Sequence, residues 1–84
     1  MRDYIATFHT HLSALLSFQA LQGQGVAARM MPVPRELSSC CGTCVRYTAD
    51  SDCRDLLDRD CEAVYACEAG GYTCLFATED PPVR

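Results

Sequence analysis

The sequence predicts an α+β domain with the ferredoxin-like order β-α-β-β-α-β, four antiparallel strands carrying two helices on one face. Three observations lead there. Four short runs are rich in apolar, β-branched and aromatic residues, two stretches repeat apolar residues every three or four positions, and glycine or proline punctuates the boundaries between them.

Tyr4-Ile5-Ala6-Thr7-Phe8 reads as the first strand. Thr10 is a suitable N-cap for the first helix, in which Leu12, Leu15, Phe18 and Leu21 recur at helical spacing until Gly23 and Gly25 stop it. Val26 to Met31 forms the second strand. It ends at Pro32 and Pro34, because proline donates no ladder hydrogen bond and restricts the residue before it.

A cysteine-dense loop from Pro32 to Cys44 leads into a short third strand, Val45-Arg46-Tyr47-Thr48, the weakest of the four. Asp50, Ser51 or Asp52 can then cap a second helix. In it Cys53, Leu57, Cys61, Val64 and Cys67 share one face, while Arg54, Asp55, Asp58, Arg59 and Glu62 form a solvated face opposite. Gly70-Gly71 ends this helix, and Tyr72 to Ala77 makes the last strand before an acidic, proline-containing tail. No internal repeat or low-complexity segment interrupts the pattern.

The length of 84 residues leaves room for a single domain, 1–84, with a thin core and no large enclosed cavity. Hydrophobic residues at 49% and charged residues at 21% fit a globular protein and not a disordered linker. All seven basic residues are arginines, and the net charge is -4. Residues 1–49 carry four arginines and two acids, whereas residues 50–84 carry three arginines and nine acids. An excess of that sign disfavours a nucleic-acid surface, which needs a dense basic patch. No apolar stretch approaches the about 18–20 residues that span a bilayer, and Met-Arg-Asp-Tyr-Ile lacks the regions of a signal peptide, so a cytoplasmic protein without membrane association is expected.

The seven cysteines are odd in number and follow no export signal, which suits reduced thiols better than a disulfide framework. Cys53, Cys61 and Cys67 on the core face of the second helix, and Cys74 alternating with Tyr72 and Phe76, are expected to pack as small hydrophobes. The loop Ser38-Ser39-Cys40-Cys41-Gly42-Thr43-Cys44 is different. Its Cys-x-x-Cys spacing lets Cys41 and Cys44 meet in a disulfide, a persulfide relay or a metal clamp. A strand-like segment follows the pair where a thioredoxin-like site has a helix N-terminus. Activation must therefore come from elsewhere, with Arg35 and the backbone N–H groups around Gly42 as candidates.

One such pair supplies two of the four ligands of a structural zinc site, and no second pair exists, so no cofactor is expected. An iron–sulfur cluster or zinc held with help from Cys40 and a distant cysteine is the alternative. His9 and His11 are expected at the surface or in capping roles on the first turn of the first helix. There is no glycine-rich phosphate loop, no spacing for a Ser-His-Asp arrangement and no acid pair in an apolar context, so a turnover enzyme is not expected.

Phe8-His9 before the first helix, the stretch Pro32-Val33-Pro34-Arg35-Glu36-Leu37-Ser38-Ser39, and the following Cys41-Gly42 together resemble the Se/S carrier protein-like family. Its members are short domains with a Pro-x-Pro-Arg-x-[Ile/Leu]-Ser stretch leading to Cys-Gly. The resemblance implies a cytoplasmic bacterial or archaeal protein that holds sulfur or selenium as a persulfide or selenosulfide on Cys41. It would exchange this cargo with donor and acceptor proteins, and it could dock on a larger enzyme. Arg35 would stabilise the thiolate, Pro34, Ser38, Cys40 and Gly42 would surround it, and Cys44, an addition to the family pattern, would release or protect the cargo. The readings from other classes are a redox accessory subunit holding iron–sulfur or zinc, and a non-catalytic interaction module that pairs its sheet edges with a partner.

Overall fold

The computed structural model describes residues 1–37 and 42–77. Along the chain these form β1 (Arg2–Phe8), α1 (His11–Gly23), β2 (Ala27–Pro32), β3 (Thr43–Ala49), a single 3₁₀ turn (Arg54–Leu56), β4 (Cys61–Glu68) and β5 (Gly71–Ala77). The five strands make one antiparallel sheet in the order β2-β3-β1-β4-β5, with α1 on one face. The α+β class is as the sequence predicts. The second helix is replaced by a 3₁₀ turn and a fifth strand, so the four-stranded, two-helix ferredoxin-like arrangement is corrected to five strands and one helix.

The cause lies in a β-bulge. On β4, Phe8 pairs with Cys61 while its neighbour Thr7 pairs with Ala63, leaving Glu62 as an extra residue. The bulge changes the parity of the strand, and Cys61 and Val64 both reach the core facing α1. A strand thereby reproduces a three-residue spacing that otherwise signals a helix. Before it, Cys53 adopts a left-handed conformation with φ 55°, and Leu57 is extended, so the 3₁₀ turn cannot propagate.

The core between the sheet and α1 gathers Tyr4, Ala6 and Phe8 of β1, Val45 and Tyr47 of β3, Val64 and Ala66 of β4, and Ala14 and Leu21 of α1. On α1 the buried residues are Ser13, Ala14, Ser17 and Leu21, whereas Leu12 is 62% exposed and Leu16 45% exposed. Hydrogen bonds fix this rotation: Ser13 Oγ donates to Asp60 Oδ2 at 2.7 Å, and Ser17 Oγ accepts from the Asp58 N–H at 2.8 Å. The helix is thus tied to the segment that feeds β4. Thr10 is the N-cap, its hydroxyl accepting from the Ser13 N–H at 3.2 Å.

At the other end the chain leaves α1 through a Schellman closure. The Val26 N–H donates to the Leu21 carbonyl and the Gly25 N–H to the Gln22 carbonyl, both at 3.0 Å, with Gly25 at φ +80°. Val26 and Leu21 both belong to the core, which completes the motif's hydrophobic contact. Of the two glycines that mark the helix end, only Gly25 is left-handed. Gly25→Ala is therefore expected to lower the stability to urea by about 1 kcal/mol, while Gly23→Ala should not lower it. Equal losses in the two variants would contradict this assignment of the stop.

Candidate functional site at the foot of the β2–β3 loop

The β2–β3 ladder brings the two ends of the cysteine loop together. Met31 pairs with Cys44 and Pro32 with Thr43, and one step further the Val33 N–H donates to the Gly42 carbonyl at 3.1 Å. Gly42 sits at φ +75°, a conformation that favours glycine beside the loop cysteines. Beyond this foot, a turn closes where the Leu37 N–H donates to the Pro34 carbonyl at 3.0 Å, with Arg35 exposed on it.

The described part of the loop leans over the sheet face remote from α1. Glu36 lines a cavity of about 350 Å³ together with Arg46, Cys67, Glu68 and Tyr72, residues of β3 and of the β4–β5 hairpin. On the same face Ile5, Thr7 and Cys44 have no exposed surface, although all three point away from the helix.

Among the site residues predicted from sequence, the structure brings Pro34, Arg35, Gly42 and Cys44 into one loop and its foot. Ser38, Cys40 and Cys41 lie outside the described residues. Cys44 is corrected from a loop position to the second residue of β3, because the ladder extends down to Pro32 and Thr43. It is fully buried, and its Sγ donates to the Pro32 carbonyl at 3.7 Å.

The other thiols have contrasting surroundings. Cys61 is buried in the core, and burial pushes its pKa up to about 12. Cys67 is half-buried on the face remote from α1, outside the core in which the sequence reading placed it, and burial raises its pKa. Cys53 packs against the core, and Cys74 is exposed on β5, not buried as its alternation suggests.

The C-terminal end of β1 adds groups that sequence spacing does not locate. Thr7 pairs with Cys44 and Phe8 with Cys61, so the chain emerges from β1 between two strands that each begin with a cysteine at or near their start. His9 Nδ1 lies 3.9 Å from Glu62 Oε2, and His11 Nδ1 lies 3.3 Å from the Thr43 hydroxyl, next to the loop foot. Glu62 reaches His9 from the bulge, and Thr43 reaches His11 through strand pairing. Neither relation has a signal in the linear sequence.

Residues 3–59 match the family described as "Putative Se/S carrier protein-like". The chain belongs to this family. The matched segment runs from β1 past the 3₁₀ turn and includes the whole β2–β3 loop, while β4 and β5 lie beyond it. The chain is also 25% identical over 77 residues to "Uncharacterized protein YtiA" of Escherichia coli (strain K12), covering 89% of this chain and 91% of that protein. No solved structure matches. Among the described residues no group of three or more His, Cys, Asp or Glu side chains is placed to hold a metal ion, and no helix is long and apolar enough to cross a membrane.

The buried thiol of Cys61 has a consequence for stability. Its pKa is raised on folding from an ordinary 9.0 to about 12, so the folded state keeps a proton that the unfolded state gives up. Stability is unaffected by this group below pH 9 and falls as pH rises through the window from 9 to about 12. Urea midpoints measured across that window should drop, and Cys61→Ala should flatten the drop. An unchanged slope in the variant would contradict the assignment.

Proposed function

We propose that the protein carries sulfur or selenium on Cys41 as a persulfide or selenosulfide. The reading is supported most by the family match across the β2–β3 loop, whose two ends are pinned by β2–β3 pairing and by the Val33–Gly42 hydrogen bond. The described ends of the loop thus stand on paired strands, the kind of scaffold from which functional loops act.

In loading, the Cys41 thiolate attacks the outer sulfur of a donor persulfide. A new bond forms between Cys41 and that sulfur, the donor's S–S bond breaks, and the donor leaves as a thiolate, so no external oxidant is needed. Delivery is the same exchange in reverse, with an acceptor thiolate as the attacking group. Selenium follows the same path through its selenosulfide. Arg35, exposed on the same loop, supplies positive charge to favour the Cys41 thiolate.

Cys44 is the second thiol. Attack of its thiolate on the inner sulfur of loaded Cys41 forms a Cys41–Cys44 disulfide and expels hydrosulfide. Burial of Cys44 slows this release and so protects the cargo. The protein acts as a carrier without turnover of its own and without a resident cofactor, and its partners are the sulfur or selenium donor and acceptor proteins.

Intact-mass analysis after anaerobic purification and incubation with a persulfide donor should show a gain of one sulfur that reductant removes. Cys41→Ser should abolish the gain and Cys74→Ser should retain it. An unmodified Cys41 under conditions that load a known carrier would overturn the reading, and stoichiometric iron or zinc in the same sample would favour a metal-binding subunit instead.

A further inference from the structure

The sheet face remote from α1 sets two arginines side by side. Arg29 of β2 is the register partner of Arg46 of β3, and the neighbours Ala28, Met30, Val45 and Tyr47 all turn to the core, which sends both guanidinium groups to the other face. Like charges directly opposite each other in a sheet are unfavourable, so the pair needs a counter-charge.

Asp3 of β1 supplies one. Its Oδ2 accepts from Arg46 Nη2 at 2.8 Å and its Oδ1 accepts from the Thr48 hydroxyl at 2.6 Å. Those hydrogen bonds, Thr48 first and Arg46 second, hold the Asp3 carboxyl below its usual range and keep it ionised. Among the described residues the carboxylate thus pairs with Arg46 alone, and both of its oxygens are engaged. Arg29 has no ion-pair partner among the described residues and is exposed. The cluster carries a net positive charge at the wall of an open cavity of about 500 Å³ lined by Asp3, Ala27, Ala28, Arg29, Arg46 and Thr48.

We propose that this cavity binds a tetrahedral oxyanion, held by Arg29 and by the N–H groups of Arg46 that Asp3 does not use. Arginine offers five N–H donors in a planar fork, so Arg46 keeps donors for a second acceptor while it pairs with Asp3. The backbone around the site is strand on both sides, which fixes the spacing of the two side chains before the anion arrives. Arg46 also lies two residues along β3 from Cys44, on the same face as the loop foot. The bound anion is either an inorganic sulfur oxyanion such as thiosulfate or a phosphate group, which share this recognition chemistry.

The test is a titration of the reduced full-length protein with thiosulfate and, separately, with inorganic phosphate, followed through the guanidinium Nε–Hε signals of Arg29 and Arg46 by NMR. Chloride at matched ionic strength is the control. Saturable shifts of both arginines are expected, and Arg29→Gln should weaken binding about tenfold or more while Arg29→Lys loses less. Arg29 is exposed and outside the core, so the variants should keep the wild-type backbone spectrum. Tighter binding of thiosulfate identifies a sulfur oxyanion site, and tighter binding of phosphate a phosphate site. Shifts that do not saturate, that chloride reproduces, or that persist unchanged in Arg29→Gln would overturn the proposal. The binding is read without loading Cys41, so its failure and that of the carrier reading are separate results.

Discussion

Everything in this structure depends on the burial of β1. From Tyr4 to Phe8 the strand is at most 3% exposed, it lies at the centre of the sheet, and both of its faces are covered. A strand in that position cannot leave its outward backbone groups to water, so it must be paired on both edges. β3 satisfies one edge and β4 the other. The requirement for a second partner is what converts the chain after Asp60 into a strand, against a spacing that favours a helix. Tyr4 and Tyr47, stacked with ring centroids 5.4 Å apart, lock the β1–β3 pairing from the core side.

The first half of the fold is legible in the sequence because its signals are local. β1, the Thr10 cap, α1 and the proline-terminated β2 each follow from a few adjacent residues. The second half depends on contacts far apart in sequence. The bulge at Glu62 exists only against the register of β1, and the three-residue step from Cys61 to Val64 is its imprint. The same distance effect misleads on α1. Apolar spacing alone would place Leu12 in the core, yet Ser13 and Ser17 face inward because Asp60 and Asp58 await them there. Both buried serines have the hydrogen-bond partners that burial of a hydroxyl requires.

For the site, composition and spacing distinguish the loop cysteines from the others, and pairing geometry then separates Cys44 from the loop itself. The Cys-x-x-Cys pattern is continuous in sequence but straddles a structural boundary: Thr43 and Cys44 belong to the ladder, and Gly42 makes the left-handed step that starts it. His11 and Thr43 come together across 32 residues, a contact that only strand pairing creates. The charge asymmetry along the chain likewise gains a location. Two of the four first-half arginines, Arg29 and Arg46, lie side by side on one face of β2 and β3, while the carboxylates of Asp60 and Glu62 in the second half are spent on α1 and on His9.

A protein that carries a labile sulfur on one thiol faces a hazard from its own other thiols, since any accessible thiolate can take the cargo by exchange. Exchange rate follows the thiolate fraction, and that fraction is set by environment. Cys61, with its pKa pushed up to about 12, has a negligible thiolate population near neutral pH, and Cys67 is displaced in the same direction. Cys44 is withdrawn into β3 behind the Pro32 carbonyl. Cys74, exposed on β5, sits on the edge strand of the sheet opposite to β2. Burial thus lowers the competition from Cys44, Cys61 and Cys67 without reducing the number of cysteines.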